Sequence, residues 1–184
     1  MVRVGIAGFG KIGQVRAHML EKNVNSKVVA VFDVKKPDNL NNNIKFSESF
    51  EELLNQDIDA VFICAFNNVL ADYTTLALKS GKHVFCEKPP ARTTEELKSV
   101  IEIENNSNLI LKYGFNHRYH YSVQEAKKII DSGSMGKLLW LRGVYGKAGS
   151  IDYHKNWRNY RKYSGGGILI DQGIHMLDLM RYFS

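Results

Sequence analysis

Asp171 and His175 stand four residues apart in the segment GGGILIDQGIH, residues 165–175. Residues four apart on a helix lie on the same face. A carboxylate and an imidazole on one face can hold a substrate hydroxyl and take its proton, because the ordinary pKa of histidine lies near physiological pH. An acid near a helix N-terminus and a histidine packed against another helix give the same pattern, and these residues alone favour that structural interpretation.

Lys88 belongs to the segment EKPP, residues 87–90, which closes a predicted strand at its carboxyl end. In doubly wound sheets, ligands bind outside the carboxyl ends of the strands, so the ammonium group of Lys88 would face the ligand crevice. Pro89 restricts Lys88 to an extended backbone. A surface lysine before a turn explains the same residues equally well, because lysine is common there.

The stretch GFGKIG, residues 8–13, has three glycines at the G-x-G-x-x-G spacing, after an apolar run and before a helical pattern. Asp33 follows about 20 residues after Gly13, which completes the dinucleotide-binding fingerprint. Gly8 permits the tight turn, Gly10 lets a pyrophosphate approach the backbone, and Gly13 lets the helix pack closely. The helix N-terminus offers N–H groups and the positive end of its dipole. A glycine-rich turn in another doubly wound fold is the alternative.

Asp33 is expected to accept hydrogen bonds from the hydroxyl groups of the adenosine ribose. A carboxylate at this position repels a 2′-phosphate, so the sequence favours NAD over NADP. Lys35 and Lys36 follow directly and could pair with such a phosphate. NADP therefore stays open as the cofactor.

Strand-like and helix-like segments alternate in the first part of the chain, which is typical of βαβ units. We predict an α/β fold with a Rossmann-type doubly wound parallel sheet. Predicted strands cover residues 2–7, 27–33, 44–46, 59–65, 83–86 and 109–115. Predicted helices cover residues 11–22 and 69–80, with two more beginning at the capping-box residues Ser49 and Thr93.

The pattern changes near residue 119, beyond which we predict a helix over 122–132, one long strand over 137–145 and a last helix over 170–182. One long strand needs partner strands, and no other strand is predicted after it. We therefore predict a dinucleotide-binding domain over residues 1–118. Residues 119–184 would be the beginning of an incomplete α+β second domain. This would suit the N-terminal part of a longer protein, or a naturally shortened one.

The combination of GFGKIG, CEKP (residues 86–89) and GGGILIDQGIHMLDL (residues 165–179) resembles the glucose–fructose oxidoreductase, inositol dehydrogenase and MocA (Gfo/Idh/MocA) family. The resemblance extends over the whole chain. It implies an NAD(P)-dependent oxidoreductase that transfers a hydride between nicotinamide and a secondary alcohol of a sugar, cyclitol or sugar nucleotide. It also implies a homo-oligomer in a full-length form.

The resemblance assigns roles to individual residues. Lys88 would contact both the nicotinamide side and the substrate, Asp171 would hold substrate hydroxyls, and His175 would be the general base. Glu87 would lie beside the cofactor ribose and Asn67 near the adenosine-side ribose, and a Trp-Arg pair would reach over the cofactor. The full set of predicted cofactor-binding residues is Gly8, Phe9, Gly10, Lys11, Ile12, Gly13, Asp33, Ala65, Phe66, Asn67, Glu87, Lys88, Trp157 and Arg158.

Two other functions stay open beside the dehydrogenase. A chain with a shortened second domain could be a dinucleotide-binding protein without catalysis, or an inactive remnant. NAD-dependent glycosidases of the same family use a transient oxidation to cleave a bond, and they regenerate their cofactor in each cycle.

Aromatic and basic residues alternate late in the chain, and such residues can stack the bases of single-stranded nucleic acids. The set consists of Tyr153, Lys155, Trp157, Arg158, Tyr160, Arg161, Lys162 and Tyr163. The net charge of +6 does not by itself select nucleic acid, and no recognised binding motif accompanies these residues. We therefore expect a loop that folds over the cofactor, and no nucleic-acid partner.

Composition limits the remaining classes of protein. With 44% hydrophobic and 24% charged residues the chain can form a packed core, and no apolar run reaches membrane-spanning length. Cys64 and Cys86 lie in apolar runs, which predicts reduced thiols and a cytoplasmic location. His117, His120 and His154 complete no recognisable ligand set, so no metal is expected.

Overall fold

Six parallel strands form one sheet in the first part of the chain. The computed structural model describes residues 1–146 and 153–184, and the strand order in this sheet is β3-β2-β1-β4-β5-β6. The strands are β1 (Val2–Ala7), β2 (Ser26–Phe32), β3 (Lys45–Ser47), β4 (Ala60–Ile63), β5 (His83–Cys86) and β6 (Leu111–Tyr113). This order is that of a Rossmann fold, and it confirms the predicted doubly wound parallel sheet.

Four helices connect the strands: α1 (Lys11–Glu21), α2 (Phe50–Leu54), α3 (Asn67–Lys79) and α4 (Thr94–Asn105). Residues Met1–Gly114 make up one compact unit. The central strands are continuously apolar because side chains on both of their faces are buried. In β1, Val4 and Ile6 belong to one buried cluster and Ala7 to the other.

Side chains cap two of the helices, as the capping-box spacing predicts. Ser49 Oγ accepts a hydrogen bond of 3.0 Å from the Glu52 amide at the start of α2. Thr93 Oγ1 accepts one of 3.2 Å from the Glu96 amide at the start of α4. Each bond satisfies an N–H group that has no partner within its helix, so these residues fix where the helices begin.

The regular elements that the structure describes in the second compact unit, Phe115–Ser184, are all helical. It contains a 3₁₀ turn (Asn116–Tyr119), α5 (Tyr121–Asp131), two short 3₁₀ turns (Tyr153–Lys155 and Trp157–Asn159) and α6 (Arg161–Ser164). A π-helical turn (Leu169–Gly173) then leads directly into α7 (Ile174–Phe183). The predicted last helix is therefore present, with a widened first turn.

The predicted strand over 137–145 is wrong. These residues have no regular secondary structure, and the described part of the second unit contains no strand that could pair with them. Leu139 and Trp140 are 86% and 73% exposed. A single strand is not stable by itself, because its N–H and C=O groups need partners in a neighbouring strand.

The part of the chain that the structure describes contains no helix that could cross a membrane. None of its helices combines the length and the apolar character that a membrane span requires.

Candidate functional site

The carboxyl ends of the central strands lie together at one edge of the sheet. Beyond the last paired residues, the Gly8 amide donates to Phe32 O at 2.8 Å, and the Cys64 amide donates to Ala7 O at 2.7 Å. The Glu87 amide likewise donates to Ile63 O at 2.9 Å. Four segments therefore leave the sheet at the same edge: the glycine loop (residues 8–13), Asp33, residues 64–67 and residues 87–88. Open α/β sheets bind their ligands at this edge.

Gly8 and Gly13 make the glycine loop tight. Gly8 has a φ of 86°, and a Cβ atom there would lie 2.6 Å from the backbone of Cys64. A Cβ atom at Gly13 would lie 2.0 Å from the Gly8 carbonyl oxygen. No residue with a side chain fits at either place without moving backbone, so α1 begins in direct contact with the loop.

Gly10 has a different environment. A Cβ atom there would meet no atom of the described residues within 4 Å, and Gly10 is the N-cap of α1. Lys11 and Ile12 follow in the first turn of α1, which contains no acidic residue. The amides of this turn have no partners within the helix, so the loop presents N–H donors and open space together. The geometry fits a dinucleotide pyrophosphate.

Asp33 joins the loop to the end of β2. Its Oδ2 accepts a hydrogen bond of 2.5 Å from the Phe9 amide, and its Oδ1 accepts one of 2.7 Å from the Val34 amide. These bonds fix the carboxylate beside an open cleft of about 490 Å³. The cleft is lined by Phe9, Gln14, Asp33, Lys35, Lys36, Pro37, Asp38 and Asn39.

The negative and positive side chains that bear on the choice between NAD and NADP thus line the same cleft. The Asp33 carboxylate favours ribose hydroxyls, whereas the exposed Lys35 and Lys36 offer positive charge for a phosphate. The Lys36 ammonium lies 5.9 Å from the centroid of the Phe46 ring.

The residues after β4 differ among themselves in exposure. Ala65 is half-buried, and Phe66, the N-cap of α3, is 46% exposed. Asn67 is the first residue of α3 and is only 5% exposed. The predicted helix from residue 69 therefore begins two residues earlier, which makes Asn67 part of the helix.

Glu87 is held by a residue that the sequence did not single out. Arg16 of α1 donates to Glu87 Oε1 from both Nε and Nη2, at 2.8 Å and 2.6 Å. The Arg16 guanidinium also lies 5.0 Å from the centroid of the Phe85 ring. On the other side of the carboxylate, a Cβ atom at Gly114 would lie 2.8 Å from Glu87 Oε2.

Lys88 is half-buried and follows Glu87 at the same edge of the sheet. The peptide bond between Lys88 and Pro89 is cis, and Pro89 is buried. Lys88 thus stands at the carboxyl end of β5, as its sequence context predicts.

The two cysteines near this edge, Cys64 and Cys86, form no disulfide bond. Burial, followed by the charge of Glu87, raises the pKa of the Cys64 thiol far above its ordinary value. Burial also raises the pKa of Cys86 to about 12. Because the thiolate is the nucleophilic form, neither cysteine is suited to covalent catalysis at neutral pH.

Asp171 and His175 lie in the second unit and are both buried, at 8% and 5% exposure. Asp171 belongs to the π-helical turn, and His175 to the first turn of α7. Asp171 Oδ2 accepts a hydrogen bond of 2.8 Å from the side-chain amide of Gln172. Two titratable side chains in a helix with a widened turn suit a functional site, because π-turns often occur there.

Arg158 contacts Asp171 directly. The Arg158 Nε donates to Asp171 Oδ1 at 3.3 Å, and its guanidinium lies 4.5 Å from the centroid of the Trp157 ring. The predicted Trp-Arg pair is therefore a stacked pair that also contacts the predicted substrate-binding carboxylate. In the same segment, the Lys162 ammonium lies 4.6 Å from the ring of Tyr163. Basic side chains of the chain thus already contact two of the aromatic rings considered for nucleic acid.

His175 is packed among rings that the sequence analysis did not connect with it. The ring of His117 is stacked on His175, with centroids 4.1 Å apart and an interplanar angle of 14°. Phe115 meets His175 edge to face at 6.3 Å, and Tyr145 lies at 6.2 Å. No sequence pattern joins positions so far apart in the chain, which is why these neighbours could not be predicted.

The predicted site residues fall into two groups. The glycine loop, Asp33, Ala65, Phe66, Asn67, Glu87 and Lys88 belong to the first unit, and Trp157, Arg158, Asp171 and His175 belong to the second. Residues 1–146 and 153–184 contain no group of three or more His, Cys, Asp or Glu side chains suited to hold a metal ion.

Two family models match the chain. Residues 2–115 match the model described as an oxidoreductase family with an NAD-binding Rossmann fold. Residues 123–184 match the model of the GFO/IDH/MocA C-terminal domain. Together they account for most of both units, and the first match identifies the Rossmann unit as NAD-binding.

Individual proteins agree with the family models. A levoglucosan dehydrogenase of Pseudarthrobacter phenanthrenivorans is 37% identical over 128 residues, which are 68% of this chain and 33% of that protein. An inositol 2-dehydrogenase of Salmonella typhimurium is 34% identical over 190 residues, 98% of this chain and 54% of that protein. The chain spans about half the length of that inositol dehydrogenase.

A solved structure agrees with the fold as well. The scyllo-inositol dehydrogenase of Lactobacillus casei, crystallised with NAD(H) and scyllo-inositol, matches with a TM-score of 0.87 at 28% identity. The match covers 100% of this chain and 56% of that one.

Proposed function

Because the chain belongs to the Gfo/Idh/MocA family of oxidoreductases, we propose that it takes part in NAD-dependent oxidation of a secondary alcohol on a sugar, a cyclitol or a sugar nucleotide. The substrate class is supported by relatives whose names specify levoglucosan and inositol. Which of these compounds reacts is left to the experiment below.

The observation that carries the proposal is the glycine loop with its attached carboxylate. Gly10 leaves open space at the N-terminus of α1, and the 2.5 Å bond from the Phe9 amide to Asp33 keeps the carboxylate beside that space. Donors suited to a phosphate and an acceptor suited to ribose hydroxyls are therefore held side by side. We propose that Asn67 and Glu87 bind ribose hydroxyls, and that Trp157 and Arg158 cover the cofactor.

NAD, when bound, supplies the acceptor for the hydride. The residues of the chain manage the proton and the charge. His175 takes the proton of the substrate hydroxyl on a ring nitrogen, and Asp171 accepts a hydrogen bond from a neighbouring hydroxyl. Lys88 stabilises the negative charge that develops on the reacting oxygen by hydrogen bonding and by its own charge.

The hydrogen bonds of Asp171 suit its proposed role as an acceptor for a substrate hydroxyl. Arg158 and the Gln172 amide each donate to one of its oxygens, so these two donors orient the buried carboxylate.

A reducing compartment fits the two free cysteines, Cys64 and Cys86. We accordingly propose that the protein works in the cytoplasm. We also propose that a full-length form is a homo-oligomer, which sedimentation of such a form would test.

The first test is calorimetric titration of the 184-residue chain with NADH and, separately, with NADPH. Tight binding of NADH and weak binding of NADPH is expected from Asp33. Equal binding of both would assign the phosphate to Lys35 and Lys36. Absence of binding for both would contradict the proposal for this chain.

The second test is turnover with myo-inositol, scyllo-inositol and levoglucosan, followed as NADH formation. Lys88→Ala should lower kcat by about a hundredfold or more, as loss of an oxyanion donor does, with little change in NADH affinity. Lys98→Ala, an exposed lysine of α4, is the matched control. NADH binding without any turnover would favour a binding protein, and cleavage of a glycoside without net NADH would favour a glycosidase.

A further inference from the structure

His117 packs against one face of the imidazole ring of His175, the residue that we propose as the general base. It comes from the 3₁₀ turn Asn116–Tyr119, whereas His175 comes from α7. The two imidazole rings are nearly parallel, 14° apart, with centroids separated by 4.1 Å. Stacked rings direct their N–H groups sideways, so the two imidazoles do not bond to each other and no proton passes directly between them.

An ion pair fixes this arrangement. Arg118, next to His117 in the turn, donates from Nε to Asp178 Oδ2 at 2.8 Å and from Nη2 to Asp178 Oδ1. Asp178 is 7% exposed and lies three residues after His175, on the same side of α7. The turn and the helix are thus joined at two neighbouring points, once by charge and once by ring stacking.

Two stacked imidazoles cannot both be protonated near neutral pH without strong repulsion. Two positive charges about 4 Å apart in a partly buried place interact by enough to separate the two protonation steps by roughly one to three pH units. His175 is 5% exposed, whereas His117 is only half-buried. Burial disfavours the charged form, so the first proton goes to His117.

We propose that His117 is a positioning residue that keeps His175 neutral and holds its ring plane, so that the pair accepts a single proton in the neutral range. The base role of His175 rests on the proposed function, but the shared titration does not. A neutral imidazole is the form that can take a proton from a hydroxyl. His117 would thereby extend the working range of the base to lower pH.

Other titratable and charged groups of the second unit lie around the pair. The His120 ring lies 5.3 Å from His117, and Tyr145 lies 5.4 Å from it. The charge of Arg118 is matched by Asp178, and that of Asp171 by Arg158.

The test is an NMR titration of the imidazole resonances of the 184-residue chain from about pH 5 to about pH 9, around the ordinary histidine pKa. In the native protein, His117 should titrate first as the pH falls, and His175 should follow at clearly lower pH. His117→Phe keeps a flat ring on His175 but removes its charge. The midpoint of His175 should then rise by about one pH unit or more, which is about a tenfold change in the ratio of protonated to neutral His175 at a given pH.

His120→Phe is the matched control, because it removes a titratable ring that lies beside His117, at 5.3 Å between centroids. It should leave His175 titrating as in the native protein. An unchanged His175 midpoint in His117→Phe would overturn the proposal. If His117→Phe does not fold, His117→Gln tests the same point, since it also lacks the titrating ring.

Failure of the proposed function gives a different result. His175→Gln in an active full-length form would then retain its kcat, whatever the titration of His117 shows. If His175 is the base, the lower limb of the kcat pH profile should move to higher pH in His117→Phe, in step with the NMR midpoint.

Discussion

Alanine substitutions at Gly10 and Gly13 should separate the two functions of the glycine loop. Gly13→Ala puts a methyl group 2.0 Å from the Gly8 carbonyl oxygen, and that oxygen belongs to backbone that cannot move alone. Gly10→Ala puts the same group into open space, and the Gly10 φ of −69° suits alanine. The first change should therefore damage the fold, and the second should damage only the binding of NADH.

The magnitudes follow from the surroundings of each glycine. Overpacking costs about 1–3 kcal/mol, and the clash at Gly13 should exceed the roughly 1 kcal/mol that alanine gains over glycine within a helix. A net loss of about 1–2 kcal/mol lowers the Tm by roughly 2–8 °C in a chain of this size. At Gly10 a weaker N-cap and a less flexible unfolded chain nearly cancel, which leaves a change of about 0.5 kcal/mol or less.

The assays are thermal unfolding without cofactor and calorimetric titration with NADH. Gly10→Ala should keep the native Tm and lose about tenfold or more in affinity, equal to about 1.4 kcal/mol. Gly13→Ala should lose both stability and affinity. Gly146→Ala, at another glycine with nothing within 4 Å, is the control and should change neither.

Either of two results would refute the reasoning. Native NADH affinity in Gly10→Ala would mean that no phosphate approaches the N-terminus of α1. Native stability in Gly13→Ala would mean that α1 does not pack against the loop as described.

Three further predictions concern the cleft, the helix caps and a buried thiol. In calorimetric titrations, Asp33→Ala should weaken NADH binding about tenfold and reduce the difference in affinity between NADH and NADPH. Asp38→Ala, in the same cleft, should change neither affinity. Ser49→Ala and Thr93→Ala should each cost about 1 kcal/mol in urea unfolding, because each leaves a helix amide without its acceptor. Burial raises the pKa of Cys86 from 9.0 to about 12, so its neutral form stabilises the fold fully below pH 9.0, and this stability is lost as the pH rises towards about 12. The free energy of unfolding should therefore fall less steeply above pH 9.0 in Cys86→Ala.

Much of the first unit follows from local patterns. The strands over 2–7 and 83–86 have the predicted bounds, because both are apolar runs that end at a glycine or at a turn before proline. The caps at Ser49 and Thr93 were readable because a cap and its partner are three residues apart. The strand predicted over 59–65 is shorter, since the residues that follow it turn into α3.

The contacts around the site could not be read in this way. Arg16 and Glu87 are 71 positions apart, and only the order of the strands brings them together. His117 and His175 are likewise joined by the packing of a turn on α7. The strand predicted over 137–145 is wrong because an alternating or apolar pattern forms a strand only where a partner strand is available.

The position of β1 in the sheet also makes the glycine loop depend on a part of the chain that follows much later in the sequence. β1 pairs with β2, and on its other side with β4, whose first residue is Ala60. The glycine loop touches the backbone of Cys64, so it reaches its final shape only after that part of the chain has been synthesised and paired. Contacts between distant parts of a chain form slowly. Bound cofactor therefore cannot stabilise the growing chain before β4 has paired with β1. Once β4 is in place, the cofactor stabilises the loop beside β1, the strand that joins the two halves of the sheet.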